Sequence, residues 1–192
     1  MLRLAFLLYY AGGILVLLVR VLPAGARAAR AGTRPDGIAR YLHLVLLPIG
    51  FLVPPAVMLL RAGEVAGAWT AVRVAGVASG LYAAAILPWS AATLGRFLVP
   101  QAVVAPDHEL VTSGPCRFVR HPAYSGDLAL WLGAALATVN VVLLALWPLY
   151  ALGVLVETRV EESLLDARFG AAYRAYQRRV GRLAPRLSTF RP

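Results

Sequence analysis

The stretch DLALWLGAALATVNVVLLALWPLYALGVLV, Asp127–Val156, decides how this chain folds. It is almost continuously apolar over thirty residues and is broken at Asn140 and Pro148. A bilayer core about 30 Å thick takes roughly 20 helical residues, so the stretch is too long for one upright span and short for two full ones. A single tilted helix and a tight hairpin of two shortish helices both accommodate it. The hairpin, turning near Thr138–Asn140, is the favoured reading because it brings the arginine-rich C-terminal region back to the side where the preceding polar segment lies.

Working toward the N-terminus, the polar island Gly95–Gly126 is preceded by three further apolar segments, Leu4–Leu22, Tyr41–Leu60 and Trp69–Leu94. Arg3 and Arg20 lie close enough to the ends of the first to snorkel. A cleaved signal peptide is not expected there, because no small-residue cleavage site followed by a polar domain appears. Pro48 and the Pro54–Pro55 pair in the second segment are tolerable where neighbouring helices satisfy the freed carbonyls. The loop Pro23–Arg40 carries Arg27, Arg30, Arg34 and Arg40 against Asp36, whereas the turn Arg61–Ala68 has one arginine and one glutamate. By the positive-inside tendency the loop and the island are cytoplasmic, with the N-terminus outside and the C-terminus inside.

Beyond the hairpin, Glu157–Val180 reads as an amphipathic helix, with Leu165, Phe169, Ala172 and Tyr176 on one stripe and Glu161 and Glu162 on its shoulders. Gly170 costs that helix on the order of 1 kcal/mol against alanine and marks a point where it can break. The expected fold is an all-α polytopic integral membrane protein of about five transmembrane helices plus a cytoplasmic C-terminal helix. No repeat or low-complexity linker divides it, so residues 1–192 read as a single membrane domain, with residues 1–94 and 95–192 as its two halves.

Composition agrees: 60% of residues are hydrophobic, 15% are charged, and the mean hydropathy is +0.71, which excludes an ordinary soluble domain. The net charge of +10 comes from arginine alone, without a single lysine. Those arginines fall in short loops and the tail without interleaved aromatics, a pattern that suits membrane lipid headgroups and argues against nucleic acid. Cys116 is the sole cysteine, which rules out an internal disulfide and a thiolate-rich metal site. His43, His108 and His121 form no HxxxH or HExxH pair, so no metal is expected.

The chemistry-bearing residues are concentrated in two places. Arg120-His121-Pro122, with Tyr124 and Gly126 behind them, sets a cation, an imidazole and a phenol at the mouth of a helix. Pro122 holds His121 away from helical geometry. Taken alone, this cluster also reads as an interfacial anchor. Glu161 and Glu162 alone also read as charge balance for neighbours such as Arg159 or Arg168.

Taken in order, however, LGRF at 94–97, HELVTSGPCRFVRHPAYSG at 108–126, EESLL at 161–165, FGAAYRAY at 169–176 and RLAP at 182–185 resemble the isoprenylcysteine carboxyl methyltransferases and phospholipid N-methyltransferases, with their bacterial homologues. The resemblance covers the C-terminal half. It implies S-adenosylmethionine as cofactor and a bacterial cytoplasmic-membrane enzyme acting on a lipophilic acceptor: a prenylcysteine-type carboxylate, a phospholipid amine or a small lipophilic thiol. It implies that His108, Leu110 and Val111 lie along the adenosine, that the Gly114-Pro115 turn lets the chain approach the cofactor, and that His121 and Tyr124 face its methionine part. Arg120 fits either the cofactor's carboxylate or a structural pair with an acid. Glu161 and Glu162, grouped with Arg159, are the candidate catalytic residues.

In-line methyl transfer needs alignment of nucleophile, methyl carbon and sulfur and exclusion of water, with a base only where the acceptor loses a proton. Two features depart from the family pattern: Cys116 stands where an aromatic is usual, and the N-terminal half carries no matching motif. A nicotinamide-dependent membrane reductase of the sterol-reductase type and a non-enzymatic membrane scaffold remain as alternatives.

Overall fold

In the computed structural model, which describes residues 1–99 and 102–186, about 76% of the described residues are helical and none forms a strand. Helix α1 (Leu2–Val16) passes through a π turn at Leu17–Val21 straight into α2 (Leu22–Ala31). The sequence expectation ended this helix at Leu22 and began a loop at Pro23. The wider π turn, just ahead of a proline in the first turn of α2, absorbs the missing N–H, and the helix runs on. A 3-10 turn at Gly37–Tyr41 leads to α3 (Leu42–Leu60), and α4 (Thr70–Leu94) follows, both within a residue of the expected spans.

The thirty-residue apolar stretch is a hairpin. Helix α5 (Pro122–Thr138) ends at Val139, which has φ of 50°, and α6 (Val141–Phe169) starts behind an Asn140 cap whose side chain accepts from Leu143 N at 3.0 Å. Asn140 Nδ2 also donates to Ala62 O at 2.8 Å, and Val141 N donates to Gly63 O at 2.9 Å, so the α3–α4 and α5–α6 turns are pinned together. The second arm is not short, as expected, but runs for 29 residues, about 44 Å. Nothing between Val156 and Phe169 breaks a helix, so the change from apolar to charged residues alters what α6 faces without ending it. The break comes at Gly170, with φ of 52°, and α7 (Ala171–Arg179) starts in a new direction. That kink moves the buried stripe from Ala172, which is exposed, to Tyr173.

Four segments, Leu2–Val19, Leu42–Leu60, Thr70–Phe97 and Val141–Phe169, are long and apolar enough to cross a membrane. Helix α5 has 17 residues and sits at the centre, touching α1, α3, α4 and α6. Its closest partner is α4, through small residues. A Cβ on Gly76 would lie 2.2 Å from Ala137 N, and one on Gly133 would lie 2.9 Å from Gly80 N. Gly76 and Gly80 form a Gly-x-x-x-Gly step that brings two helix backbones together where lipid provides no hydrophobic drive, a signal the sequence reading overlooked. Ser79 Oγ donates to Ala129 O at 2.8 Å across the same seam. Leu8, Leu52, Leu81 and Leu152 point outward, as a lipid-facing surface requires.

The bundle has two unlike ends. One holds the N-terminus, where Arg3 pairs with Glu64 at 3.5 Å, and both pinned turns. The other holds residues 32–41, 95–99, 102–121 and 170–186, and it has its own small core of Val104, Leu165, Tyr173, Tyr176 and Val180.

Candidate functional site

At this second end the island folds against α6 and α7. Gly114, with φ of 56°, opens a 3-10 turn at Gly114–Arg117, and a Cβ there would lie 2.5 Å from Thr93 Oγ1. The glycine thus seats the island on the end of α4. Val119 then bridges to Gly181 in parallel, Arg120 N donates to Gly181 O at 2.8 Å, and His121 N donates to Arg182 O at 3.0 Å. The two residues are thereby held in place just before Pro122 starts α5.

Their side chains meet the acidic pair of α6. Arg120 donates to Glu162 Oε1 from Nε at 2.9 Å and from Nη2 at 2.6 Å, and Arg182 Nη2 donates to Oε2 at 2.5 Å. The remaining Arg120 nitrogen donates to Gln177 O and Val180 O at the end of α7. Arg120 and Glu162 are 5% and 6% exposed, so water barely screens them. With four of its five N–H donors committed to protein partners, Arg120 takes the structural pair.

His121 lies between the two carboxylates, with Nε2 3.2 Å from Glu162 Oε1 and Nδ1 3.7 Å from Glu161 Oε2. Glu161 is 30% exposed at its side chain and has no guanidinium partner among the described residues. Tyr124 stands edge-on to His121 at 5.9 Å.

These groups open onto one cleft of about 730 Å³, its mouth included, lined among others by Leu94, Phe97, Val103, His108, Leu110, Val111, Cys116, Arg120, His121, Tyr124, Glu161, Tyr173 and Tyr176. At one end the His108 ring sits 4.6 Å from Phe97 and 6.1 Å from Phe169. Burial lowers the His108 pKa; Asp107 opposes this and Arg168 adds to it. Toward the other end, burial and the Glu162 charge raise Tyr173, whose buried hydroxyl has no partner. Tyr176 donates to Cys116 O, and burial, with Glu161 nearby, pushes the Cys116 thiol up to about 11.

The structure therefore brings His108, Leu110, Val111, Arg120, His121, Tyr124 and Glu161 to one cavity. Glu162 sits directly behind it, and Gly114 and Pro115 support the wall without lining it. Arg159 does not join them: it is exposed on α6 and outside the cleft lining. Phe97, Tyr173, Tyr176 and Arg182 were missed as site residues, although each stands in a quoted motif. Only packing shows which letters of those motifs turn inward.

A model of the phospholipid methyltransferase family matches residues 71–172, more than half of the 192. The chain belongs to the phospholipid methyltransferase family. The matched span runs from the start of α4 into α7 and takes in the island and both glutamates. Among curated proteins nothing matches the chain significantly. Family membership and the apolar helices together make it a membrane methyltransferase.

Proposed function

We propose that the protein transfers a methyl group from S-adenosylmethionine to a lipophilic acceptor at the cytoplasmic face of the membrane. The observation that carries this reading is a single cleft in which Glu161, a carboxylate with no guanidinium partner among the described residues, and a partnerless buried hydroxyl, Tyr173, face an aromatic slot around His108. Such a donor set fits a ligand with a cationic amino acid end and a flat heterocyclic end. When bound, S-adenosylmethionine supplies a methyl group activated on a sulfonium.

In this reading His108, Leu110 and Val111 line the adenosine end, and Glu161, His121 and Tyr124 face the methionine end. Glu162, held by Arg120 and Arg182, fixes the backbone that presents His121. Gly114 and Pro115 set the island's turn, and Arg159 has no part. Residues 95–192 serve the cofactor, and residues 1–94, with the hairpin, shape the acceptor's path from the bilayer. Glu161 can take a proton, so it favours an amine or thiol acceptor over a carboxylate, which surrenders none. The arginine excess at the cleft end supports a cytoplasmic C-terminus and an external N-terminus.

Calorimetry on the detergent-purified protein tests the reading. S-adenosylhomocysteine should bind with micromolar affinity and NADPH should not, and Glu161→Ala and His121→Ala should lose binding or turnover while still inserting into membranes. NADPH binding alone would move the assignment to a reductase, and binding of neither would leave a scaffold.

A further inference from the structure

The continuous helix Leu2–Ala31 is about 45 Å long, well beyond a 30 Å hydrocarbon core, so α2 emerges at the cleft end of the bundle. Arg27 and Arg30 are exposed on it, and Arg34 follows within four residues. None of the three has an ion pair or hydrogen bond among the described residues. At the same end Arg96 pairs with Asp107 at 3.0 Å, Arg174 pairs with Asp166 at 2.9 Å, and Arg120 and Arg182 share Glu162.

Between Arg30 and Arg34 the backbone makes a bridge. Thr33 N donates to Val104 O at 2.9 Å, and Val104 N donates to Thr33 O at 3.0 Å. Val104 is buried, Val103 lines the cleft, and Ala102 N donates to Glu157 Oε1 at 3.3 Å. One wall of the cleft is thus tied on one side to α6 and on the other to a segment of unpaired arginines.

We propose that Arg27, Arg30 and Arg34 bind the phosphates of anionic phospholipids, and that this binding holds the Ala102–Val104 wall of the cleft through the Thr33–Val104 bridge. Guanidinium groups suit phosphate oxygens through paired, charge-assisted hydrogen bonds. Several of them directly beyond a membrane helix, with Asp36 as the only acid in the loop, complement an anionic leaflet. Lipid binding and the state of the wall do not depend on the methyltransferase reading, whereas any effect on turnover rests on it.

Cys116, the sole cysteine, lines the same cleft and reports on the wall. The test compares its maleimide labelling in the full chain, in nanodiscs of phosphatidylcholine alone and with about 30% phosphatidylglycerol. The anionic lipid should slow labelling about tenfold, and the Arg27→Gln/Arg30→Gln/Arg34→Gln variant should lose most of that difference. Thr33→Pro, which removes the donor to Val104 O, should label fast in both discs while its vesicle binding stays dependent on anionic lipid. Equal wild-type rates in the two discs would overturn the proposal, as would an undiminished lipid effect in the arginine variant. Inorganic phosphate reproducing the effect at matched ionic strength would overturn the lipid assignment. S-adenosylhomocysteine binding measured in the same discs separates the two readings: lipid-dependent labelling without any such binding would sustain this proposal and sink the methyltransferase.

Discussion

Glu162→Gln should destabilise the cleft end of the protein strongly, and Glu161→Gln should not, although the two residues adjoin in sequence. Glu162 accepts two hydrogen bonds from Arg120 and one from Arg182, and His121 Nε2 lies 3.2 Å away. Glutamine keeps the shape but loses the charge, and its NH2 group would face a guanidinium donor to donor. Removing one partner of a buried ion pair costs about 3–5 kcal/mol, because the other charge stays buried without compensation. Arg182 is 29% exposed and contributes to the lower side of that range. For a chain of this size about 3–5 kcal/mol corresponds to a fall in Tm of roughly 6–20 °C. Among the described residues Glu161 has His121, at 3.7 Å, as its sole ion-pair partner and is partly exposed, so its neutralisation should cost less than about 1 kcal/mol.

Trp89 stands 6.3 Å from Phe118 of the island, so tryptophan fluorescence in a detergent melt reports on this end of the molecule. Equal melting of the two variants, or a lower Tm for Glu161→Gln, would refute the assignment of Glu162 to the scaffold and Glu161 to the cleft. The double variant Arg120→Met/Glu162→Met should recover part of the single variant's loss, since the buried Arg120 charge leaves with its partner and only the partly exposed Arg182 loses its carboxylate. Recovery should be incomplete, because Arg120 also serves the carbonyls of Gln177 and Val180 at the end of α7.

Gly76→Ala should cost about 1–3 kcal/mol, because its Cβ would strike the Ala137 backbone at 2.2 Å, whereas Gly12→Ala, with nothing within 4 Å, should be neutral or slightly stabilising in the same melt. Tyr150→Phe removes the hydroxyl that donates to Asp127 and should cost about 1–3 kcal/mol, seen as a lower Tm with the stacking on Trp131 retained. Cys116, 1% exposed with its thiol pushed up to about 11, should react with maleimide at pH 8 far more slowly in the native protein than after denaturation; comparable rates would contradict its burial. Because the His108 pKa is lowered in the fold, its neutral ring contributes stability that is complete above about pH 6.5 and is lost as the pH falls through the lower, folded value. A pH series of melts should show that acid-side loss in the wild type and a smaller one in His108→Phe.

Much of the bundle was legible in the sequence because membrane helices are specified by length and apolarity, and the turn at Thr138–Asn140 because its polar residues interrupt an otherwise apolar run. What the pattern could not convey were effects of geometry between elements. Amphipathicity suggested a new helix at Glu157, yet polarity governs what a helix faces and not where it stops, so α6 continues to Gly170. Extrapolating 100° per residue through that glycine placed Ala172 on the buried stripe, and the kink puts Tyr173 there instead. Arg182 looked like part of a tail motif, and only the Val119–Gly181 bridge brings it to Glu162.

The same reasoning accounts for the acidic pair. Adjacent residues on a helix point about 100° apart. On α6 that rotation turns one carboxylate toward α7 and the returning backbone, where two arginines bury it, and leaves the other at the edge of the cleft. His121 contacts both, so the buried carboxylate holds the imidazole in place and the exposed one shares it with the cavity. One turn of helix thus supplies a structural anchor and a chemical group from identical side chains, and the distinction lies wholly in what the fold brings to each.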